Sequence, residues 1–165
     1  MNGRRVARYG LLVALALILS YVESLVPAFF AFPGMKLGLT NLVVLIALFR
    51  MGSRPAVLIN LLRILLATAL FGNGFALAYS LAGGLLSGAA MILLRRSGRV
   101  GMLGVSVAGG LAHNLGQILT AMVLLDTWQL ASYLPVLWVS GMIAGLAIGL
   151  LGYEVTRRLP PELFQ

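Results

Sequence analysis

Apolar residues run almost uninterrupted along the chain, and short clusters of glycine, proline, charged or aromatic residues divide them into six segments. The dividing sequences are PAFFAFPGMK, RMGSRP, FGNG, RRSGR and DTWQLAS. Repeated long apolar runs are typical of transmembrane helices, each of which needs about 20 residues to cross the hydrocarbon core. The pattern predicts an all-α polytopic membrane protein, a single integral membrane domain over residues 1–165, with six spans at about 9–26, 37–49, 56–70, 75–94, 100–125 and 133–156.

The second and third segments are short for membrane spans, at about 13 and 15 residues. As helices they would extend only ~20 to 23 Å, less than the ~30 Å of the hydrocarbon core. Either the adjoining loops, 27–36 and 71–74, enter the membrane behind a protein shield, or the bilayer thins locally. Because irregular backbone at that depth normally lines a cavity, we expect a cavity that opens towards the outer face.

Composition agrees with a membrane environment. Hydrophobic residues make up 61% of the chain and charged residues only 10%, against about 25% charged residues in soluble domains. The net charge of +8 does not indicate nucleic-acid binding, because the basic residues lie in short clusters between apolar runs. The absence of cysteine excludes disulfides, iron–sulfur clusters and thiol chemistry.

The arginines predict the orientation of the chain. If the amino terminus is cytoplasmic, ten arginines fall on the inner side and only Lys36 on the outer side, with Arg63 inside a span. By the positive-inside rule, both termini face the cytoplasm. The inner-side arginines are Arg4, Arg5, Arg8, Arg50, Arg54, Arg95, Arg96, Arg99, Arg157 and Arg158.

Three charged side chains within or beside apolar runs are candidate substrate-binding residues. Arg63 lies about eight residues into the third segment, where a guanidinium costs from ~3 to more than ~10 kcal/mol unless it faces the bundle interior with a partner. Structural contacts to Glu23 or Asn60 satisfy that need, and so does an anionic ligand group. Glu23 pairs with Lys36 or Arg63, or binds an amine. Lys36, the only lysine, needs a local partner of its own.

Amide and imidazole side chains are densest in GGLAHNLGQ, residues 109–117. His113 and Gln117 are four residues apart and share a helix face, with Asn114 beside them. A hydrogen-bonded helix contact and a lined cavity are both compatible with this pattern, and so many polar groups in an apolar chain favour the cavity. We expect no metal site, because one histidine without cysteine or a nearby carboxylate supplies too few ligands.

Two asparagines complete the candidate substrate-binding set. Asn41 and Asn73 lie at the outer ends of the second and third segments. Asn73 belongs to FGNG, which is first of all typical of a turn.

Small residues recur four positions apart, which predicts close helix packing. Gly10 and Ala14 show this spacing in the first segment. The same spacing relates Gly84 to Gly88, and Gly141 to Gly145 and Gly149.

Several catalytic patterns are missing from the sequence. Without a GxxxxGK[ST] motif the chain has no P-loop for ATP. Asp126 is the only aspartate, whereas condensation of prenyl diphosphates usually uses clustered aspartates that hold magnesium ions. No combination of nucleophile, base and orienting acid is evident. The sequence thus argues against an enzyme that acts alone, and we expect no cofactor.

The sequences ESLVPAFFAFPGMKLGLTN, LLRILL, LFGN, SLAGG and AHNLGQ, in this order, resemble the bacterial membrane family called Gx transporter proteins, often labelled heptaprenyl diphosphate synthase component I. The resemblance covers about residues 8–155. The family in turn looks like the substrate-binding S components of energy-coupling-factor (ECF) transporters, which have six helices and both termini inside. The resemblance implies a multi-pass protein of the bacterial cytoplasmic membrane.

This resemblance implies a substrate pocket near the outer side, formed by the loop after the first helix and by helices three to six. It also implies that the first helix docks through small residues, here Gly10 and Ala14, onto a membrane coupling subunit driven by two ATPases. The expected function is uptake of a small anionic or amphipathic molecule, such as a vitamin or an isoprenoid precursor.

Two other functions remain open at this point. The family label implies an accessory membrane subunit of heptaprenyl diphosphate synthase, and a positive pocket with an apolar rim suits a prenyl diphosphate as well as a vitamin precursor. A structural subunit of a membrane redox assembly is the third alternative, and it would lack a sizeable polar pocket.

Overall fold

The computed structural model of the protein describes residues 3–25 and 38–164. Within these ranges the chain forms α-helices and two short 3₁₀ helices, and no strand. The α-helices are α1 (Gly3–Leu25), α2 (Leu39–Met51), α3 (Ser53–Phe71), α4 (Gly74–Ser97), α5 (Met102–Leu124) and α6 (Leu134–Arg158), and the 3₁₀ helices are Trp128–Tyr133 and Pro161–Phe164. The predicted all-α class is confirmed.

Five of these helices are long and apolar enough to cross a membrane, judged by length and composition, and α2 is a shorter apolar helix of 13 residues. The chain is therefore a polytopic membrane protein. The shortness of α2 is explained by its position, because Thr40 and every residue of Val43–Leu48 are buried in the bundle. Since protein surrounds α2, its ends need not reach both lipid–water interfaces.

The third helix is longer than the sequence predicts. It begins at Ser53 and has 19 residues, so the expected start at residue 56 and the expected short span are wrong. Gly52 alone links α2 to α3, with a φ of 101° that favours glycine, and its N–H donates to the Ala47 carbonyl at 3.1 Å. Pro55 follows in the first turn of α3, where a missing N–H breaks no helical hydrogen bond.

The loop at 71–74, one of the two alternatives for completing the third crossing, is shorter than the sequence predicts, because α3 continues through Phe71 and only Gly72 and Asn73 separate it from α4. The other loop predicted to enter the membrane, 27–36, lies outside the described residues. The remaining boundaries of the predicted spans differ by up to six residues, the largest difference being that α1 begins at Gly3.

Arginines gather at one end of the bundle, as the alternating helix directions require. The Arg50 guanidinium donates to the Thr156 and Leu159 carbonyls at the end of α6, the latter at 2.9 Å. Arg95, at the end of α4, donates to the Phe49 carbonyl at 3.3 Å and lies 5.4 Å from the centre of the Phe49 ring. Besides setting topology, these cations satisfy carbonyl groups at helix carboxyl ends.

Glycines bring α4, α5 and α6 into backbone contact. A Cβ added at Gly110 would lie 2.5 Å from the Gly141 carbonyl oxygen, and one at Gly145 would lie 2.6 Å from Val107 Cα. A Cβ at Gly116 would lie 2.7 Å from the Ala82 carbonyl oxygen. The close packing predicted from the spacing of Gly141, Gly145 and Gly149 is confirmed.

The two α4 glycines with the same spacing, Gly84 and Gly88, differ from each other in their surroundings. A Cβ at Gly84 would lie 2.8 Å from Ile64 Cδ1, so Gly84 packs closely against α3. A Cβ at Gly88 would meet no atom within 4 Å. The predicted close packing of Gly88 is therefore wrong: the gap between α2, α3 and α4 leaves this position facing open space.

We expect Gly145→Ala to lower the free energy of unfolding by about 1–3 kcal/mol, because the added methyl group would overlap with backbone atoms of α5, which unlike a side chain cannot adopt another rotamer. The matched control is Gly88→Ala, which adds the same group to open space and should be neutral or stabilising by up to ~1 kcal/mol. Thermal unfolding of the two purified variants in one detergent measures the difference. Equal midpoints would contradict the packing described for α5 and α6.

Candidate binding cavity

A cavity of about 210 Å³ opens between the helices at the end of the bundle opposite the arginines. It is surrounded by the last turns of α1, the first turn of α2, the second half of α3 and the facing sides of α4, α5 and α6, and it reaches towards the arginine-bearing end at Met91 and Ser106. With the orientation predicted from charge, this is the outer end. Its polar lining residues are Ser20, Glu23, Ser24, Thr40, Asn41, Arg63, Thr68, Ser80, Ser106, His113 and Asn114.

Arg63 is the cation among the described residues that line this cavity, and only 8% of it is exposed. Its Nε donates to Asn60 Oδ1 at 3.0 Å, and Asn60 Nδ2 donates in turn to the Gly84 carbonyl at 3.1 Å. Asn60 thus links the guanidinium to α4 and sets its orientation. Among the described residues, no hydrogen bond or ion pair uses the two terminal amino groups of Arg63.

Glu23 holds the start of α2 against α1. Its Oε1 accepts from the Gly38 N–H at 2.5 Å, and its Oε2 accepts from the Thr40 hydroxyl at 3.3 Å. The Thr40 hydroxyl also lies 3.2 Å from the Ser20 hydroxyl. Gly38, with a φ of 72°, turns the chain into α2 and presents its N–H to the carboxylate. Both oxygens of the only carboxylate at the cavity therefore have structural partners.

The expected ion pair between Glu23 and Arg63 is not formed, although both residues line the cavity. Within the described ranges, the ion pair present joins Arg158 to Glu154 at 3.2 Å, on the surface at the arginine-bearing end. Lys36 lies outside the described residues, so its pairing with Glu23 stays a prediction.

Helix α5 contributes His113 and Asn114 to the cavity wall. Asn114 Nδ2 donates to the Leu137 carbonyl at 2.7 Å and lies 3.4 Å from Ser140 Oγ, which ties α5 to α6. On the other side, Gly83 of α4 makes room for the imidazole, because a Cβ there would lie 3.0 Å from His113 Nε2. The helices on both sides of α5 thus determine where these two side chains lie.

The structure brings five of the predicted site residues together: Glu23, Asn41, Arg63, His113 and Asn114. Gln117 is buried beside His113 against Gly83, does not line the cavity, and its Oε1 has no hydrogen-bond partner among the described residues. Asn73 also lies apart from the cavity and caps α4, where its Oδ1 accepts from the Ala76 N–H at 2.9 Å. The predicted docking residues Gly10 and Ala14 are exposed on α1.

Sequence reasoning missed the hydroxyl groups of the cavity. Ser106, Ser80 and Thr68 line it, and each is a common type of residue in a membrane helix. Ser106 could have been found, because it precedes His113 by seven residues and so lies on the same helix face. Ser80 and Thr68 carry no such signal.

The cavity offers a guanidinium, an imidazole, amides and hydroxyls, with one carboxylate already hydrogen-bonded. Among the described residues, no three His, Asp or Glu side chains lie close enough together to hold a metal ion. This set suits the binding of an anion by charge-assisted hydrogen bonds.

We expect Glu23→Ala to lower the free energy of unfolding by about 1–3 kcal/mol, since the Gly38 N–H and the Thr40 hydroxyl lose their acceptor. Glu23→Gln should lose less, because it keeps one acceptor oxygen. The matched control is Glu154→Ala, which removes an exposed ion pair worth at most about 1 kcal/mol. Chemical denaturation in a single detergent compares them, and an equal loss for both alanine variants would refute the structural role of Glu23.

Comparison with known proteins places the chain in a family. The model for heptaprenyl diphosphate synthase component I matches residues 12–155. No curated protein and no solved structure matches the chain. The resemblance to S components of ECF transporters therefore rests on sequence motifs alone, whereas the family match extends from α1 to α6. The chain belongs to the heptaprenyl diphosphate synthase component I family.

Proposed function

We propose that this chain is a membrane subunit that binds a small amphipathic molecule through its anionic group. The observation that supports this most is Arg63, more than nine-tenths buried at membrane depth, with its terminal amino groups beside a cavity. A guanidinium at that depth needs a partner for its donors, and the carboxylate of Glu23, although it also lines the cavity, is hydrogen-bonded to Gly38 and Thr40 and forms no ion pair with Arg63. A ligand anion would accept hydrogen bonds from the terminal amino groups of Arg63 directly.

Each candidate residue has a distinct role in this proposal. The two Nη groups of Arg63 donate to the anion, since a guanidinium fits carboxylate and phosphate oxygens with two parallel hydrogen bonds. His113 and Asn41 contact the polar part of the ligand. Asn114 positions α5 against α6, because its amide nitrogen is already used there. Lys36 is a second cation on sequence grounds alone.

Three further candidates act indirectly in this proposal. Gln117 supports the His113 side of α5, Glu23 shapes the entrance by holding α2, and Asn73 ends the turn into α4.

Family membership favours an accessory subunit of a heptaprenyl diphosphate synthase in the bacterial cytoplasmic membrane. A component I implies at least one further component. Because the chain has a single aspartate, Asp126, the clustered aspartates that hold magnesium during prenyl transfer would belong to that other component. In this role the chain binds the diphosphate end of a prenyl substrate or product within the membrane.

Uptake is the second candidate function, and the position of the cavity favours it. The cavity opens at the end that lacks arginines, which the positive-inside rule assigns to the outside. Gly10 and Ala14 are exposed on α1, as docking onto a coupling subunit requires. No comparison supports such a subunit or its ATPases, so this role rests on the resemblance.

We expect Arg63→Met to weaken the binding of inorganic pyrophosphate and of isopentenyl diphosphate by about 10- to 100-fold, the loss of one or two charge-assisted hydrogen bonds. The variant should still fold, because methionine keeps the volume and removes a buried charge, with a loss of about 1–3 kcal/mol in the free energy of unfolding since Asn60 Oδ1 loses its donor. Arg54→Met is the matched control, since Arg54 is exposed at the other end of the bundle. Isothermal titration calorimetry in nanodiscs measures affinity. A folded Arg63→Met variant that binds both probes normally would disprove the anion assignment.

Native mass spectrometry of the gently extracted protein separates the roles. A retained polyprenyl diphosphate supports the synthase subunit, and a retained water-soluble vitamin-like anion supports uptake. A protein that retains nothing and binds no diphosphate would favour the structural subunit and contradict the proposal.

A further inference from the structure

A second cavity of about 230 Å³ lies between α2, α3 and α4. Its lining is almost entirely apolar and includes Val44, Leu48, Leu61 and Leu85, with Asn60 as its polar member. These residues run from the middle of α2 and α4 towards their carboxyl ends and occupy the amino-terminal half of α3. The second cavity therefore lies nearer the arginine-bearing end than the mouth of the polar cavity does, and we call it the inner groove.

Two glycines on the face of α4 that meets α2 and α3 help to form the inner groove. Gly88 lies on its wall, and a Cβ there would meet nothing within 4 Å. One turn earlier, the space beside Gly84 is filled by the side chains of Ile64 and Asn60. The groove thus begins next to Asn60, which joins Arg63 to the Gly84 carbonyl, and continues along α4 towards its carboxyl end.

The inner groove and the polar cavity share a wall. Met91 lines both, and it is 2% exposed. Asn60 lines the groove and accepts the hydrogen bond from Arg63, which lines the cavity. Methionine is unbranched and has three rotatable bonds, so the side chain at the boundary of the two spaces is one that can change its conformation.

Size and polarity suggest one ligand for both spaces. Pockets for drug-sized ligands have volumes of about 300–1,000 Å³, a range that neither space reaches alone and the two together do. One space contains a cation and hydroxyls, and the other is apolar and lies deeper along the bundle axis. This sequence of environments matches a molecule with an anionic end and a hydrocarbon chain.

We propose that the inner groove binds the hydrocarbon chain of the same amphipathic ligand whose anionic end Arg63 binds. The inference rests on the proposed function and narrows its substrate class to an anion with a chain long enough to pass Met91. Arg63, which Asn60 orients, holds the polar end on one side of the wall. The groove then selects for chain length on the other side, because a chain that fits it gains packing contacts with the lining side chains.

The test compares inorganic pyrophosphate with farnesyl diphosphate in nanodiscs, using the wild-type chain and Gly88→Leu. We expect Gly88→Leu to weaken binding of farnesyl diphosphate by at least about tenfold, because the leucine side chain occupies the space of the farnesyl chain, and to leave pyrophosphate affinity within about twofold. Gly88→Ala should give a smaller loss in the same direction. The matched control is Ala147→Leu, which adds similar bulk to an exposed position of α6 outside both spaces.

The outcomes distinguish the groove from the polar cavity. If the wild-type chain binds farnesyl diphosphate and both Gly88 variants bind it equally well, the inference about the groove is overturned and the proposed function stands. The groove would then hold bilayer lipid. If the wild-type chain binds neither probe, the proposed function and the inference fall together. A tenfold loss that also appears in Ala147→Leu would reflect general packing and would overturn the inference.

Discussion

The hydrogen bond from Arg63 to Asn60 governs how the helices meet around the cavity. A guanidinium at membrane depth must be kept from lipid, so α3 turns this face towards the bundle interior. Asn60 continues the contact to the Gly84 carbonyl, and α4 can approach only because Gly84 has no side chain to collide with Ile64. The cation, its amide support and the glycine of α4 form a single arrangement that none of them could produce alone.

Uneven packing explains why there is space beside this arrangement. Helices α4, α5 and α6 touch through backbone atoms at glycines, of which Gly110 and Gly145 are the tightest. Helices α1, α2 and α3 instead meet through side chains, around the buried apolar residues of α2. The polar cavity and the inner groove both occur where these two kinds of packing meet. Glu23 holds α2 to α1 at the open end.

The chemistry of the cavity agrees with family membership and with either proposed role. A synthase subunit and an uptake subunit must both first capture an anion at membrane depth, and Arg63 suits that step in each. The two roles diverge only after capture, when the partner chain determines whether the ligand is elongated or released inward. An apolar groove one side chain beyond the cation gives both roles a way to prefer ligands with a hydrocarbon chain.

Much of this protein was evident from its sequence, because lipid imposes strong rules on composition. The apolar runs and the asymmetry of the arginines predicted the helices, and Arg63, His113 and Asn114 were recognisable as polar groups too costly to face lipid. The start of α3 was missed because RMGSRP is typical of a loop between two helices. In the structure Gly52 alone makes the turn, and Pro55 is accommodated in the first turn of α3, so the helix begins within this sequence. Only the tertiary structure decided which polar groups meet. In the structure Gln117 lies outside the cavity, the Glu23 oxygens accept hydrogen bonds at the start of α2, and Gly88 faces open space. Each of these outcomes depends on how far apart neighbouring helices lie and not on the spacing of residues along one helix.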